Sequence, residues 1–196
     1  MELPQAVLEL LSRLAPDQRA AATAPPGPVL CIAPAGSGKT TTLVARIAWL
    51  IASGTAPGEV AAITFNRRAA AELETRLDEA LAPLGVSIGS VRVRTFHALG
   101  LEILNEFDPT IGRLADRAGL LRIVAPRASP AELDTLISRL KVDLGVTAEE
   151  VAADPGAGPL ARAFVAYERR LAGDGTLDFD DLILDAIRLP LSLIHI

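Results

Sequence analysis

Ala33-Pro34-Ala35-Gly36-Ser37-Gly38-Lys39-Thr40 is the stretch from which the fold is read. A short apolar run, residues 28–32, precedes it, and residues 40–52 after it repeat apolar side chains at helical spacing. Strand, glycine-bearing loop and helix, in that order, form the context in which such a loop cradles phosphate. Gly36 and Gly38 let the backbone bend so that the N–H groups of the 35–40 segment converge on phosphate oxygens. The helix behind them adds unpaired N–H groups and the positive end of its dipole. Lys39 supplies a mobile point charge for β- and γ-phosphates, and the Thr40 hydroxyl is placed to ligate Mg²⁺. Ala33 stands where a first glycine is usual in such loops, a known variation.

The rest of the composition narrows the class. With 196 residues, 50% of them hydrophobic, the chain can bury a sizeable core in one or two domains. The net charge of −5 excludes a globally basic nucleic-acid binder, so any DNA contact has to be local. Lys39 and Lys141 are the only lysines, and the arginine and alanine bias suggests a high-GC genome. The lone cysteine, Cys31, lies in the apolar run and is expected in the core of a protein kept in a reducing compartment. The histidines have no cysteine partners at metal-site spacing. There is no signal peptide, and residues 43–52 are too short and too interrupted by Arg46 to cross a bilayer. A soluble, cytoplasmic bacterial protein is expected.

Along the chain, periodicity predicts helices at 3–14 and from about Gln18, the latter capped by Asp17. Strands are predicted at 28–32, 60–65 and 90–95, with helices at 40–52, 67–82 and 97–107 between and after them. That alternation argues for a parallel, doubly wound α/β core. From 108 to 175 only helical patterns occur, at 111–124, 130–140, 147–153 and 160–171, which reads as an all-α module. Gly173-Asp174-Gly175 is a turn, and Asp178 caps a helix running to Arg188.

Four segments besides the loop bear on function. Gln18, in Leu14-Ala15-Pro16-Asp17-Gln18, carries an amide that can both donate to and accept from an adenine edge. Ile63-Thr64-Phe65-Asn66-Arg67-Arg68 ends a strand and opens a helix, where open α/β sheets place their ligands. Arg94-Thr95-Phe96-His97 repeats the arrangement at the next strand end; there Phe96 is expected to be core, whereas Phe65 is expected to stack on a base. Trp49 is expected to pack within its helix. Leu177-Asp178-Phe179-Asp180-Asp181-Leu182 marks the end of the helical module, and its paired aspartates, at a helix start, read as structural and not as a metal site.

Taken together these segments resemble the UvrD/Rep/PcrA-type superfamily 1 DNA helicases over almost the whole chain. The resemblance implies a P-loop (RecA-like) parallel-sheet core, subdomain 1A, from residues 1–107 and 177–190, carrying a helical insert, 1B, at 108–176. It implies that Gln18 contacts adenine and that Ala35, Gly36, Ser37, Gly38, Lys39, Thr40 and Thr41 surround ATP and Mg²⁺. Thr41 stands where many relatives carry arginine. It implies that Phe65, Asn66, Arg67, Thr95 and His97 contact single-stranded DNA, Arg67 replacing a common lysine. The activity implied is ATP-driven 3′→5′ translocation and unwinding on single-stranded and junction DNA in repair or replication. The motor part of a RecB- or AddA-like helicase–nuclease is the alternative within motors, and a nucleotide- or DNA-binding fragment without turnover is the alternative outside them.

Phosphoryl transfer also needs a carboxylate for Mg²⁺, a water-orienting residue and an arginine finger. In the family these lie beyond the helical insert, so the chain is expected to be a truncated amino-terminal piece without turnover of its own. Leu191-Ser192-Leu193-Ile194-His195-Ile196 matches, codon for codon, one frame of a transposase mosaic-end adapter, CTG TCT CTT ATA CAC ATC. Residues 191–196 are therefore expected to be foreign to the gene.

Overall fold

The computed structural model describes residues 2–87, 89–109 and 113–189. The tail at 191–196 and the start of the helix expected at 111–124 lie outside them. Contacts divide the chain into two compact units, Met1–Phe96 and His97–Ile196.

The first unit opens with α1 (Gln5–Ser12) and α2 (Pro16–Ala22). The second helix starts earlier than its expected Asp17 cap, because Pro16 takes the first helical position with its φ already set. The helix α3 (Lys39–Ala52) follows the glycine-bearing loop, then β1 (Ala61–Thr64), α4 (Arg67–Leu81) and β2 (Arg92–Thr95). The strands pair in parallel, in register from Ala61 with Arg92 to Thr64 with Thr95. Period-2 alternation turns Ala62 and Val93 inward, where they meet Val44, Ile47 and Ala48 of α3 and Leu73, Leu77 and Leu81 of α4. A neighbouring cluster of Val7, Leu11, Leu14, Ala22 and Ala45 seats α1 and α2 on α3.

Residues 28–32 depart from expectation. They form no strand; Leu30 is 86% and Ile32 89% exposed, and Cys31 is exposed as well. An apolar run supplies the tendency to extend, but a strand exists only where a second backbone satisfies its N–H and C=O groups. Among the described residues no backbone does so here, and the expectation that Cys31 is core is corrected accordingly.

The second unit contains α5 from His97 onward (the whole helix is Phe96–Phe107), α6 (Arg117–Val124), α7 (Pro130–Ser138), α8 (Ala148–Ala153), α9 (Pro159–Asp174) and α10 (Phe179–Arg188). A wider π turn, Arg139–Asp143, extends α7. Leu121, Leu133, Ile137, Phe164, Tyr167 and Leu171 form its main core. Asp178 caps α10 as the sequence predicts, but α9 continues through Gly173 and Asp174, where a turn was expected, and ends only at Gly175 with a left-handed φ of 60°. The helix α5 lies so close to α10 that a Cβ on Gly100 would collide with the Leu182 carbonyl. Among the described residues no helix is long and apolar enough to cross a membrane.

Candidate functional site

The loop 33–38 turns on two glycines in the left-handed region, Gly36 at φ 77° and Gly38 at φ 80°, a conformation side-chain-bearing residues avoid. The Ser37 N–H donates to the Pro34 carbonyl, closing the turn at 3.4 Å. Lys39, the first residue of α3, folds back so that Nζ donates to the Ala33 and Pro34 carbonyls at 3.0 and 2.6 Å. Its partners there are neutral oxygens, so its charge is not cancelled by an ion pair. Thr40 and Thr41 are exposed in the same first turn, and Ala35 is exposed at the loop tip. Ser37 Oγ is buried without a hydrogen-bond partner among the described residues. Glycine-bent backbone, an uncancelled cation and an orphaned hydroxyl are a donor set suited to a polyphosphate.

Gln18 lies against this loop. Its Oε1 accepts from the Ala15 N–H at 3.0 Å, and its Nε2 donates to the Ser37 carbonyl at 2.8 Å. Two arginines hold α2 in place for that contact. Arg19 donates to the carbonyls of Leu11, Ser12 and Leu14 at the end of α1. Arg46, on α3, donates to the carbonyls of Ala22, the last residue of α2, and of Ala24 and Pro25 beyond it, and its guanidinium lies 5.1 Å from the Trp49 ring centre. Trp49 is half-buried and packs with α1 and α2, so it is a packing residue as expected.

The strand ends make a second feature of the same unit. Phe65 follows β1 and is 87% exposed. Asn66 caps α4, its Oδ1 accepting from the Ala69 N–H at 2.8 Å, and Arg67 is exposed at the first helical position. Parallel register sets Thr95 beside Thr64. Phe96 is 42% exposed and tilts against Phe65 with ring centres 5.3 Å apart, so the reading of Phe96 as core is corrected. Its ring finds a partner at the neighbouring strand end, a pairing that depends on strand register. His97 belongs to the second unit, half-buried, with its ring edge-on to Phe179 at 5.3 Å.

The sequence missed a buried charge cluster in the second unit. Asp178 is 1% exposed; its Oδ2 accepts from Arg117 at 3.1 Å, Lys141 at 3.1 Å and the Tyr167 hydroxyl at 2.8 Å. Asp178 and Asp181 cap each other's backbone N–H at 3.0 Å. Lys141 also meets Asp181 at 2.6 Å and Glu168 at 3.0 Å. Asp180 takes Arg117 at 2.6 Å and the Ser138 hydroxyl at 2.7 Å. Burial alone would raise Asp178, but Lys141 and the surrounding donors hold it below the usual carboxylate range. Burial pushes Asp181 and Glu168 up. Lys141 is raised: burial works against its charge, and Asp181, Asp178 and Glu168 outweigh burial. These aspartates are occupied by ion pairs, and among the described residues no group of three or more His, Cys, Asp or Glu is arranged to hold a metal. The one sequence signal was an acid-rich Leu177-Asp178-Phe179-Asp180-Asp181 run with a single lysine, Lys141, in an apolar segment.

Residues 14–192 match the family described as the UvrD/REP helicase N-terminal domain. The chain belongs to that family. It is 38% identical over 202 residues to the ATP-dependent DNA helicase UvrD2 of Mycobacterium tuberculosis, covering 89% of this chain and 29% of the relative. It is 34% identical over 209 residues to UvrD1 of the same species, covering 94% and 26%. The similarity to the ATP-dependent DNA helicase PcrA of Bacillus subtilis is 33% over 199 residues, covering 92% and 26%. The chain thus spans less than a third of the length of these curated relatives. The mixed architecture of helices with a small parallel sheet is compatible with a UvrD/REP helicase N-terminal domain.

Proposed function

We propose that this chain is the nucleotide- and DNA-engaging part of an ATP-dependent 3′→5′ DNA helicase, built as a RecA-like 1A core with the helical insert 1B at 108–176. The observation that carries the reading is Phe65: a phenylalanine 87% exposed at the end of a parallel strand, between a capped helix start and a second aromatic ring. An exposed ring there loses nothing by folding and gains by stacking on an unpaired base. Asn66, Arg67 and Thr95 belong to the same unit and would hold the DNA backbone; His97, in the second unit, is proposed as a DNA contact on the family resemblance alone.

The loop would hold ATP. Gln18 would face adenine, the loop N–H groups and Lys39 would hold the phosphates, and Thr40 would contribute to a Mg²⁺ carried in with the nucleotide. The metal, when bound, would neutralise charge between β- and γ-phosphates. Lys39 reaches the phosphates by exchanging its two carbonyl partners for phosphate oxygens.

For the chain as given we propose binding without turnover, since Asp178, Asp180 and Asp181 are tied to Arg117 and Lys141. The test is DNA-stimulated ATP hydrolysis and nucleotide binding by the 196-residue chain, beside the ATP-dependent DNA helicase UvrD2 of Mycobacterium tuberculosis as positive control. Nucleotide binding that Lys39→Ala abolishes, with hydrolysis only by the control, is the expected result. Lys39-dependent turnover by the 196-residue chain would overturn the second proposal; nucleotide binding indifferent to Lys39→Ala would overturn the first.

A further inference from the structure

A glutamine that only reads a base has no need of partners within its own chain. Gln18 has an end committed on each side: Oε1 to the Ala15 N–H at 3.0 Å, Nε2 to the Ser37 carbonyl at 2.8 Å. The orientation of the amide is fixed by these neighbours. Flipping it would set N–H against N–H at Ala15 and oxygen against oxygen at Ser37.

The Ser37 contact acts on the loop through the peptide plane. In a trans peptide the C=O and the following N–H point in opposite directions. Holding the Ser37 carbonyl toward Gln18 therefore turns the Gly38 N–H away from Gln18. Gly38 precedes Lys39 and caps α3 at φ 80°, so rotation of this peptide would re-aim the N–H groups at the helix start. The approach is tight. A Cβ on Gly38 would lie 2.7 Å from Gln18 Nε2 and would push the amide aside, and the backbone angle itself requires glycine.

We infer that Gln18 is a positioning residue for the phosphate loop, setting the Ser37–Gly38 peptide so that polyphosphate binding depends on Gln18 even when no base is attached. The inference rests on the reading of the loop as a phosphate site. Each amide end keeps spare capacity, one N–H on Nε2 and one lone pair on Oε1, so adenine contact and loop support coexist in one side chain. Arg46 serves the same purpose one step back, since it fastens the end of α2 to the helix the loop opens.

The test is calorimetric titration of the 196-residue chain with ATP and, separately, with inorganic tripolyphosphate, a probe without a base. Gln18→Met keeps length and volume and removes the donor. Tripolyphosphate affinity is expected to fall about three- to tenfold, the range of one neutral hydrogen bond, and ATP affinity by more. Gln18→Glu retains the Ala15 contact, and hence the start of α2, while losing the donor; in salt that screens its charge it should reproduce the loss. Far-UV circular dichroism confirms that both variants keep their helices. Unchanged tripolyphosphate affinity beside weakened ATP binding would make Gln18 a base reader alone and overturn the inference. Tripolyphosphate binding indifferent to Lys39→Ala would instead overturn the phosphate-site reading beneath it.

Discussion

Lys39 and Lys141, the chain's two lysines, occupy opposite environments. Lys39 is exposed at a helix start, bonded to two neutral carbonyls of its own loop. Lys141 is 6% exposed and meets three carboxylates. A charge whose partners are all inside the chain is committed to the fold, because removing one partner leaves the others buried and uncompensated. A charge held by neutral oxygens can exchange them for a ligand at little cost to the fold. The same contrast separates the aromatics: Tyr167 is fully buried with its hydroxyl on Asp178, and Phe65 faces outward. What is closed is structural, and what is left open is the candidate for function.

The strongest way to break this comparison is to open the closed region. Asp178→Ala removes the carboxylate that Arg117, Lys141 and Tyr167 share and the cap of α10, leaves the buried Tyr167 hydroxyl without its acceptor, and should cost about 3–5 kcal/mol in urea denaturation of the second unit. Lys39→Ala should stay within about 0.5 kcal/mol of wild type in the same measurement, as exposed substitutions do. Comparable losses from the two variants would show that burial and internal pairing do not mark the structural cluster.

Gly100→Ala tests the packing that holds the end of that region. The new methyl must displace the Leu182 carbonyl, which belongs to the backbone of α10 and cannot swing away as a side chain would. A loss of about 1–3 kcal/mol is expected, with the exposed loop around Gly36 unaffected in nucleotide binding. A neutral Gly100→Ala would mean that the two helices separate freely.

How much of this was legible beforehand follows from the range of the signals. The α10 cap at Asp178 and the helices of the second unit rest on contacts a few residues apart, and periodicity and capping chemistry reveal those. The parallel pairing of β1 with β2 was legible from strand and helix alternation. The missing strand at 28–32, the exposure of Cys31 and the Phe65–Phe96 pair depend on which backbone lies alongside, which composition does not carry. Lys141 finding Asp178, Asp181 and Glu168 spans three helical segments and left only a faint trace in the sequence. The loop residues were legible as a motif; the Gln18 contact with the Ser37 carbonyl was not.

The open region is probed by Phe65→Ala. Single-stranded DNA binding, followed by anisotropy of a labelled oligothymidine, should weaken by about 1–3 kcal/mol, the worth of one stacked base. Stability and ATP affinity should remain at wild-type values, because the ring covers no core residue in the 87% exposed state. Equal DNA affinity of variant and wild type would remove Phe65 from the interface, and a stability loss would move it to the closed side of the comparison.

The smallest effect lies in the pH dependence of the closed cluster, and its sign is fixed by the carboxylates. Asp178 is held below its ordinary value, so it contributes stability above about pH 4 that is lost as pH falls through its depressed folded pKa. Glu168 and Asp181 are held above theirs, so the fold takes up their protons before the unfolded chain does. Falling pH therefore stabilises the second unit between those raised values and about 4, and destabilises it below. Urea midpoints measured across this range should rise modestly from neutrality and then drop. Glu168→Gln should flatten the rise while leaving the drop, since Asp178 keeps its partners. Lys39→Ala should leave the profile unchanged. A midpoint that only falls from neutrality would mean that Lys141 outweighs burial at all three carboxylates, and the cluster would then be a simple ion-pair network with no carboxylate strained by its surroundings.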